Sequence, residues 1–156
     1  MKKTLYILTA ILLMATSCEK TGNSLIDKIV GEWHYTTTEN GITEDIWLSF
    51  DGAGTFEMYQ KIGEGPYWHS TGEFEADPAT GILTGVYSDR YPWKYSYKVT
   101  ATSGTLTMTA AELDTYTVSY TREAIPAEVR AASLPLTRSS ASEYLNLTGL
   151  SGWRAL

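Results

Sequence analysis

Apolar and polar residues alternate with a period of two over most of the chain after Trp33, and turn-forming residues interrupt this alternation repeatedly. A period of two predicts half-buried β-strands, because successive side chains of a strand point to opposite faces. The turns contain Asn-Gly, Asp-Gly and Pro-containing sequences that are typical of hairpins. We therefore predict eight strands, at about 32–38, 42–50, 55–62, 67–75, 82–87, 93–101, 105–110 and 115–122.

The links between these strands are too short to contain a crossover helix, so neighbouring strands are predicted to be antiparallel. A flat sheet of eight such strands would leave two edges unpaired, and closure removes both. We predict an all-β fold, an eight-stranded antiparallel up-and-down barrel. A barrel of this size is either filled by its own side chains or holds one small ligand, and the sequence leaves both alternatives open.

Two segments outside the strands follow a different pattern. Ser24 is a typical helix N-cap, and the apolar residues of 25–30 recur at helical spacing, which predicts a short helix that ends at Gly31. Pro126 favours a second short helix over 127–132. The barrel domain is thus predicted over 24–126, with an irregular C-terminal extension over 127–156 whose apolar last part docks.

The first residues of the chain have the layout of a secretory signal peptide, with two lysines, an apolar run and small residues over 1–17. The single cysteine, Cys18, follows directly, and this arrangement resembles the lipobox of bacterial lipoproteins. The resemblance implies acylation of Cys18, a bilayer as partner and a polar tether over 18–23. A secreted protein with a spare cysteine is the alternative. Glu19, where an inner-membrane retention signal would have Asp, favours the outer membrane over the inner.

The charge balance is acidic. The chain has 12 Lys and Arg against 18 Asp and Glu, and removal of Lys2 and Lys3 with the leader changes this to 10 against 18, a net charge of −8. Proteins that bind nucleic acids carry basic patches, and this sequence has no basic run. Nucleic acid is therefore not a predicted partner, and the oligomeric state is left open.

Residues suited to catalysis are few. The two histidines, His34 and His69, lie on different predicted strands, and no spacing marks the further ligands that a zinc site would need. Neighbouring carboxylates such as Glu44 and Asp45 are predicted to be solvated strand positions. We predict no catalytic residue, no metal, no cofactor and no enzymatic activity.

A helical turn leading to Gly31 and Trp33 at the start of the first strand, with Arg122 at the end of the last, resembles the lipocalin family. The stretch 29–126 is similar to the lipocalin-like domains of small envelope lipoproteins of Gram-negative bacteria. The resemblance implies that Trp33 packs at the closed end of the barrel and that Arg122 lies across it. It also implies binding of a small ligand at the opposite end.

In an eight-stranded meander, the links that follow the odd-numbered strands lie at the end opposite Trp33. Four aromatic residues lie in or directly after two of these links, namely Tyr67, Trp68, Tyr91 and Trp93. We predict that they cluster at the open end as a platform for a sugar ring or an apolar ligand, with structural packing as the alternative. The resulting hypothesis is a non-enzymatic anchored barrel that binds a small amphipathic molecule or a glycan. A protein-interaction or inhibitor module with a filled barrel is the second.

Overall fold

A computed structural model describes residues 24–113, 115–136 and Leu156. Within these residues the chain forms nine strands and two short helices. Their bounds are α1 (Leu25–Ile29), β1 (Gly31–Glu39), β2 (Ile42–Phe50), β3 (Thr55–Ile62), β4 (Trp68–Asp77), β5 (Ile82–Tyr87), β6 (Tyr97–Ala101), β7 (Thr105–Ala110), β8 (Thr117–Arg122), α2 (Ala127–Ala132) and β9 (Leu134–Pro135).

The strands from β1 to β8 pair antiparallel, each with its neighbour along the chain. The sheet closes because β1 also pairs with β8, where Trp33 lies opposite Arg122 and His34 lies opposite Thr121. No sheet edge is left between the first and the eighth strand. The predicted closed eight-stranded up-and-down barrel is therefore confirmed.

Helix α1 covers one end of the barrel. The Ser24 side chain accepts a hydrogen bond from the Asp27 amide at 3.2 Å, which caps the first turn. Ile29 is fully buried in the main core, and Leu25 and Ile26 pack partly buried against it. Among the described residues no helix has the length and apolarity that a bilayer span needs. We call the end covered by α1 the floor of the barrel.

The opposite end, which we call the mouth, carries the links that follow β1, β3, β5 and β7. Strand directions require this arrangement, because β1 begins at the floor and each following strand reverses direction. The Gly63 amide donates to the Thr43 carbonyl at 2.7 Å, which joins the β3–β4 link to the β1–β2 hairpin. Residues 63–66 thus lie at the end opposite Ser24, as the meander topology predicts.

The main core fills the lower and middle barrel with side chains from all eight strands. The predicted alternation holds along β2, where Ile46, Leu48 and Phe50 point inward and are at most 2 % exposed. Burial of such side chains removes apolar surface from water and stabilises the closed sheet. The bulkiest fully buried side chains are those of Trp33, Tyr97, Tyr120, Phe50 and Phe56.

The predicted start of the sixth strand is wrong: β6 begins at Tyr97, not at Trp93. Pro92 makes an isolated bridge with Val86, and the Trp93 amide donates to the Gly85 carbonyl at 2.9 Å. The Trp93 indole lies directly on the backbone at Gly85, where a Cβ atom would collide with the ring. The Trp93 side chain points inward, as the alternation along the predicted strand requires. Residues 93–96, however, do not pair as part of β6.

Helix α2 forms over 127–132, as the sequence predicts, and packs on the outside of the barrel rather than extending irregularly from it. Its Val129 joins an outer cluster of buried residues, which comprises Trp47, Tyr59, Ile125 and Val129, with Tyr67 packed against it. The chain then forms β9, which pairs parallel with the start of β4 at Trp68 and His69. The sequence pattern did not predict β9, because a strand of two residues is too short to show a period of two.

Several predictions fall on residues outside the described ones, namely the signal peptide, the acylated Cys18 and its tether over 18–23. Of the apolar segment 143–156, only Leu156 is described. Its side chain is 2 % exposed and belongs to the main core. The Tyr87 hydroxyl donates to the Leu156 carbonyl at 3.1 Å.

Candidate functional site

A cavity of about 540 Å³ lies at the mouth, between the upper parts of β1, β2 and β8. Its wall is built by inward-facing side chains, and its rim by the hairpin after β1 and the link after β7. The cross-strand pairs Tyr35 with Ile46 and Thr37 with Glu44 place two layers of side chains in the wall. Of the residues that the structure describes, twelve line this mouth cavity: Tyr35, Thr37, Glu39, Asn40, Ile42, Glu44, Ile46, Ile62, Thr115, Tyr116, Thr117 and Val118.

Glu44 is the deepest charged group of the mouth cavity. It is half-buried, and its Oε1 atom accepts a hydrogen bond from Gln60 Nε2 at 3.0 Å. Burial raises the pKa of the Glu44 carboxyl, the Gln60 hydrogen bond opposes this, and the nearby charge of Glu39 raises it further. The expectation that Glu44 and Asp45 are solvated is wrong, since both are half-buried, Glu44 on the inner face and Asp45 on the outer face.

The side chain of Gln60 orients the Glu44 carboxylate through this hydrogen bond. It is 2 % exposed, and it points inward from β3. Because its Nε2 atom faces Glu44, its Oε1 atom must face elsewhere, and this oxygen has no hydrogen-bond partner among the described residues. A buried acceptor without a partner is costly, and such groups are rare in folded proteins.

Exposed apolar side chains lie at the opening, beside the exposed polar residues Glu39, Asn40 and Thr115. Ile42 is 47 % exposed, Leu113 is 43 % exposed and Tyr116 is 37 % exposed. Ile42 and Tyr116 line the mouth cavity, and Leu113 belongs to the same link as Tyr116. The Tyr116 ring packs 5.6 Å from the ring of Tyr95, centroid to centroid, which connects the rim to the main core. Burial raises the pKa of the Tyr116 hydroxyl, and the charge of Glu44 adds to this shift.

The floor is closed around Gly31, Trp33 and Arg122. Trp33 is fully buried, and its Nε1 atom donates to the Ile29 carbonyl at 2.8 Å. The Arg122 guanidinium lies over the Trp33 ring at 4.1 Å from its centroid and donates to the Val30 carbonyl at 3.2 Å. Gly31 has a φ of 136°, and a Cβ atom there would collide with this guanidinium.

The four aromatic residues predicted at the mouth do not form one surface. Tyr67 packs on the outer cluster, and Trp68 is half-buried at the start of β4, opposite Gln60. Tyr91 is 51 % exposed, whereas Trp93 is 5 % exposed within the main core. The structure therefore does not bring them together as a sugar platform, and the aromatic residues that do line the mouth cavity are Tyr35 and Tyr116.

The outer face carries a second group of polar side chains, around His34. Its Nε2 atom lies 2.6 Å from Asp45, its Nδ1 atom lies 3.0 Å from Glu123, and its ring stacks on Trp47 at 3.8 Å. The Tyr67 hydroxyl donates to the other oxygen of Asp45. Burial raises the pKa of Tyr67 to about 12, and the hydrogen bond to Asp45 and its charge contribute to the shift.

These outer contacts hold α2 and the segment before it against the barrel. Arg130 of α2 binds Glu32 at 2.5 Å and Glu57 at 2.8 Å, and its guanidinium lies 5.6 Å from the Tyr59 ring. His69 stacks on Tyr59 at 4.4 Å, and burial lowers the pKa of its imidazole. Within the described parts of the chain, no three His, Cys, Asp or Glu side chains converge as a metal site.

Four residues of this site were not predicted from the sequence, namely Tyr35, Glu44, Gln60 and Tyr116. A signal was present for Glu44, since the alternation that turns Ile46 inward also turns Glu44 inward.

Comparison with protein-family models, with curated proteins and with solved structures found no match to this chain.

Proposed function

We propose that this chain is a lipid-anchored protein of the bacterial cell envelope whose barrel binds one small amphipathic ligand in the mouth cavity and catalyses no reaction. The observation that carries the proposal is the cavity itself. Its volume of about 540 Å³ lies within the range of roughly 300–1,000 Å³ that is typical of small-molecule sites. It combines buried apolar side chains, such as those of Ile46 and Ile62, with polar groups that include Glu44, which suits a molecule with one apolar and one polar part.

The orientation follows from the position of the predicted anchor. Helix α1 begins at Leu25, and it covers the floor of the barrel. A tether over 18–23 would therefore join the floor to the bilayer, and the mouth would face away from the membrane. A ligand could then enter from the aqueous side of the envelope.

A second candidate function is supported by the filled interior below the mouth cavity. Large buried side chains such as Trp33, Phe56 and Tyr97 fill the barrel below the mouth cavity, which limits the depth of any ligand. The exposed apolar rim around Ile42 and Tyr116 would then serve as the contact surface of a protein-interaction or inhibitor module.

Native mass spectrometry of the protein purified from its own envelope separates the two candidates. Thr37 lines the mouth cavity, whereas Thr36 is exposed on the outer face of the same strand. We expect a bound small molecule in the wild type and in Thr36→Trp, and its loss in Thr37→Trp, in which the indole occupies the cavity. A wild-type protein without a bound molecule, or a Thr37→Trp protein that keeps it, would favour the interaction module.

The anchor is tested separately. Labelling of cells with radioactive palmitate is expected to label the wild type and not Cys18→Ala, because the acyl chains attach through this cysteine. Equal labelling of the two proteins would contradict the lipoprotein assignment without affecting the ligand proposal.

A further inference from the structure

The charge of the mouth cavity is one-sided. Among its twelve lining residues are two carboxylates, those of Glu39 and Glu44, and no Lys, Arg or His. The other lining residues are uncharged. A ligand that enters this cavity therefore meets negative charge, in surroundings where the field is less screened than in bulk water.

Among the residues that the structure describes, no Lys, Arg or His forms an ion pair with Glu44. Gln60 Nε2 donates to its Oε1 atom at 3.0 Å, and no other hydrogen bond to the Glu44 carboxylate is made by a described residue. A neutral amide orients the carboxylate but does not neutralise it. A half-buried carboxylate held in this way is destabilised relative to one in water, and a cation at the second oxygen would offset that cost.

Gln60 does not itself line the mouth cavity, and it acts on the cavity through its hydrogen bond to Glu44. The amide is 2 % exposed, and its oxygen has no partner among the described residues. The charged groups that line the mouth cavity are the carboxylates of Glu39 and Glu44, which accept hydrogen bonds and donate none when they are ionised. A head group that donates hydrogen bonds suits them, and a head group that only accepts does not.

The remaining wall accepts an apolar body. Ile46 and Ile62 are buried side chains of the wall, and the rings of Tyr35 and Tyr116 border the same cavity. Aromatic faces attract cations as well as apolar groups, because the ring quadrupole is negative above its plane. Aliphatic and aromatic side chains around a carboxylate are a combination suited to an organic ammonium ion.

We infer that the mouth cavity selects cationic amphiphiles, with the ammonium group paired to Glu44 and the apolar part held between the isoleucine and tyrosine side chains. This inference rests on the proposed ligand-binding function and specifies its ligand class. Fatty acids, the other common class of small amphiphiles, would bring a third carboxylate next to Glu39 and Glu44, and the cavity excludes them by charge repulsion.

Calorimetric titration of the full chain carrying Cys18→Ala with three probes of equal length tests the inference. The probes are octylammonium, 1-octanol and octanoate, all at pH 7. We expect octylammonium to bind about tenfold more tightly than octanol, a difference of 1.4 kcal/mol, and octanoate to bind most weakly. Glu44→Gln is expected to bring octylammonium to the affinity of octanol, because the amide keeps the shape but loses the charge.

Glu75→Gln is the matched control, since Glu75 is exposed on the outer face of β4 and does not line the mouth cavity. It is expected to leave all three affinities unchanged. If octanol binds and the charge of the probe makes no difference, the inference fails while the ligand-binding proposal stands. If no probe binds the wild type, the proposed function fails for this class of molecule and the inference fails with it. The order of the three probes on the wild type decides the matter even if Glu44→Gln does not fold.

Discussion

The guanidinium of Arg122 lies over the indole of Trp33, 4.1 Å from the ring centroid, at the point where the first and last strands of the barrel pair. The same guanidinium donates to the Val30 carbonyl at 3.2 Å, and the indole donates to the Ile29 carbonyl at 2.8 Å. Two side chains thus join α1, β1 and β8 at the floor.

Arg122→Met should keep the aliphatic stem but lose the cation–π contact and the hydrogen bond, so we expect the free energy of unfolding to fall by about 1 kcal/mol. Urea unfolding followed by tryptophan fluorescence measures this change. Lys98→Met is the control, because Lys98 is an exposed cation on the outer face of β6, and its effect should stay within about 0.5 kcal/mol. An equal effect of the two substitutions would show that Arg122 does not stabilise the floor.

Gly85→Ala should destabilise the barrel by roughly 1–3 kcal/mol, because the added methyl group collides with the Trp93 indole. We also expect a shift in the fluorescence emission of the buried tryptophans, since the ring must move. Gly104→Ala is the matched control, because nothing lies within 4 Å of the position of its Cβ atom. A stable Gly85→Ala protein with unchanged fluorescence would contradict the packing of Trp93 on β5.

Glu44 should make the stability of the protein depend on pH in a specific direction. Burial raises the pKa of its carboxyl above the usual 4.5, so the folded state binds the proton more tightly than the unfolded state. The contribution of this group to stability is therefore fully present below about pH 4.5 and is lost as the pH rises through the raised pKa.

It follows that Glu44→Gln should be more stable than the wild type at pH 7, and that this difference should shrink as the pH is lowered to 4. Thermal unfolding at a series of pH values measures the difference, and Glu75→Gln should show no such trend. A Glu44→Gln protein that is less stable than the wild type at every pH would contradict the burial of an uncompensated charge.

Tyr67 should make the stability of the protein depend on pH in the alkaline range. Its folded-state pKa of about 12 exceeds the ordinary value of 10.0, so its contribution is fully present below pH 10 and is lost as the pH rises from 10 to 12. Tyr67→Phe should therefore lose less stability than the wild type across this window. Unfolding measured from pH 9 to pH 12 provides the test, and parallel curves for the two proteins would refute the role of the Tyr67 hydroxyl.

Apolar burial should hold α2 more firmly than its ion pairs do. Val129 is 4 % exposed in the outer cluster, and Val129→Ala should cost roughly 1–3 kcal/mol. The ion pairs of Arg130 are partly exposed, and Arg130→Met should cost less than about 1 kcal/mol. Hydrogen exchange of the amides over 127–132, combined with urea unfolding, compares the two variants, and the reverse order would show that electrostatics dominate.

Much of the barrel could be predicted from the sequence, because alternation and turn chemistry are local properties. The residues of β2 illustrate this, since Ile46, Leu48 and Phe50 read as one face of a strand and form one wall of the core. The Asn-Gly pair at 40–41 likewise marks the first hairpin, where Asn40 and Gly41 adopt the positive φ angles that such a turn requires.

The burial of polar side chains and the set of aromatic residues at the mouth could be seen only in the folded barrel. Glu44 and Glu75 both read as strand carboxylates, but Glu44 lies beside a buried Gln60 on the inside and Glu75 faces solvent. Trp93 is not part of β6, contrary to the prediction. Its ring packs on the backbone at Gly85 of β5, where there is no side chain. The strands and their directions follow from the local sequence, because they depend on neighbours along the chain. Burial depends on partners that are distant in sequence, and closure of the barrel brings them together.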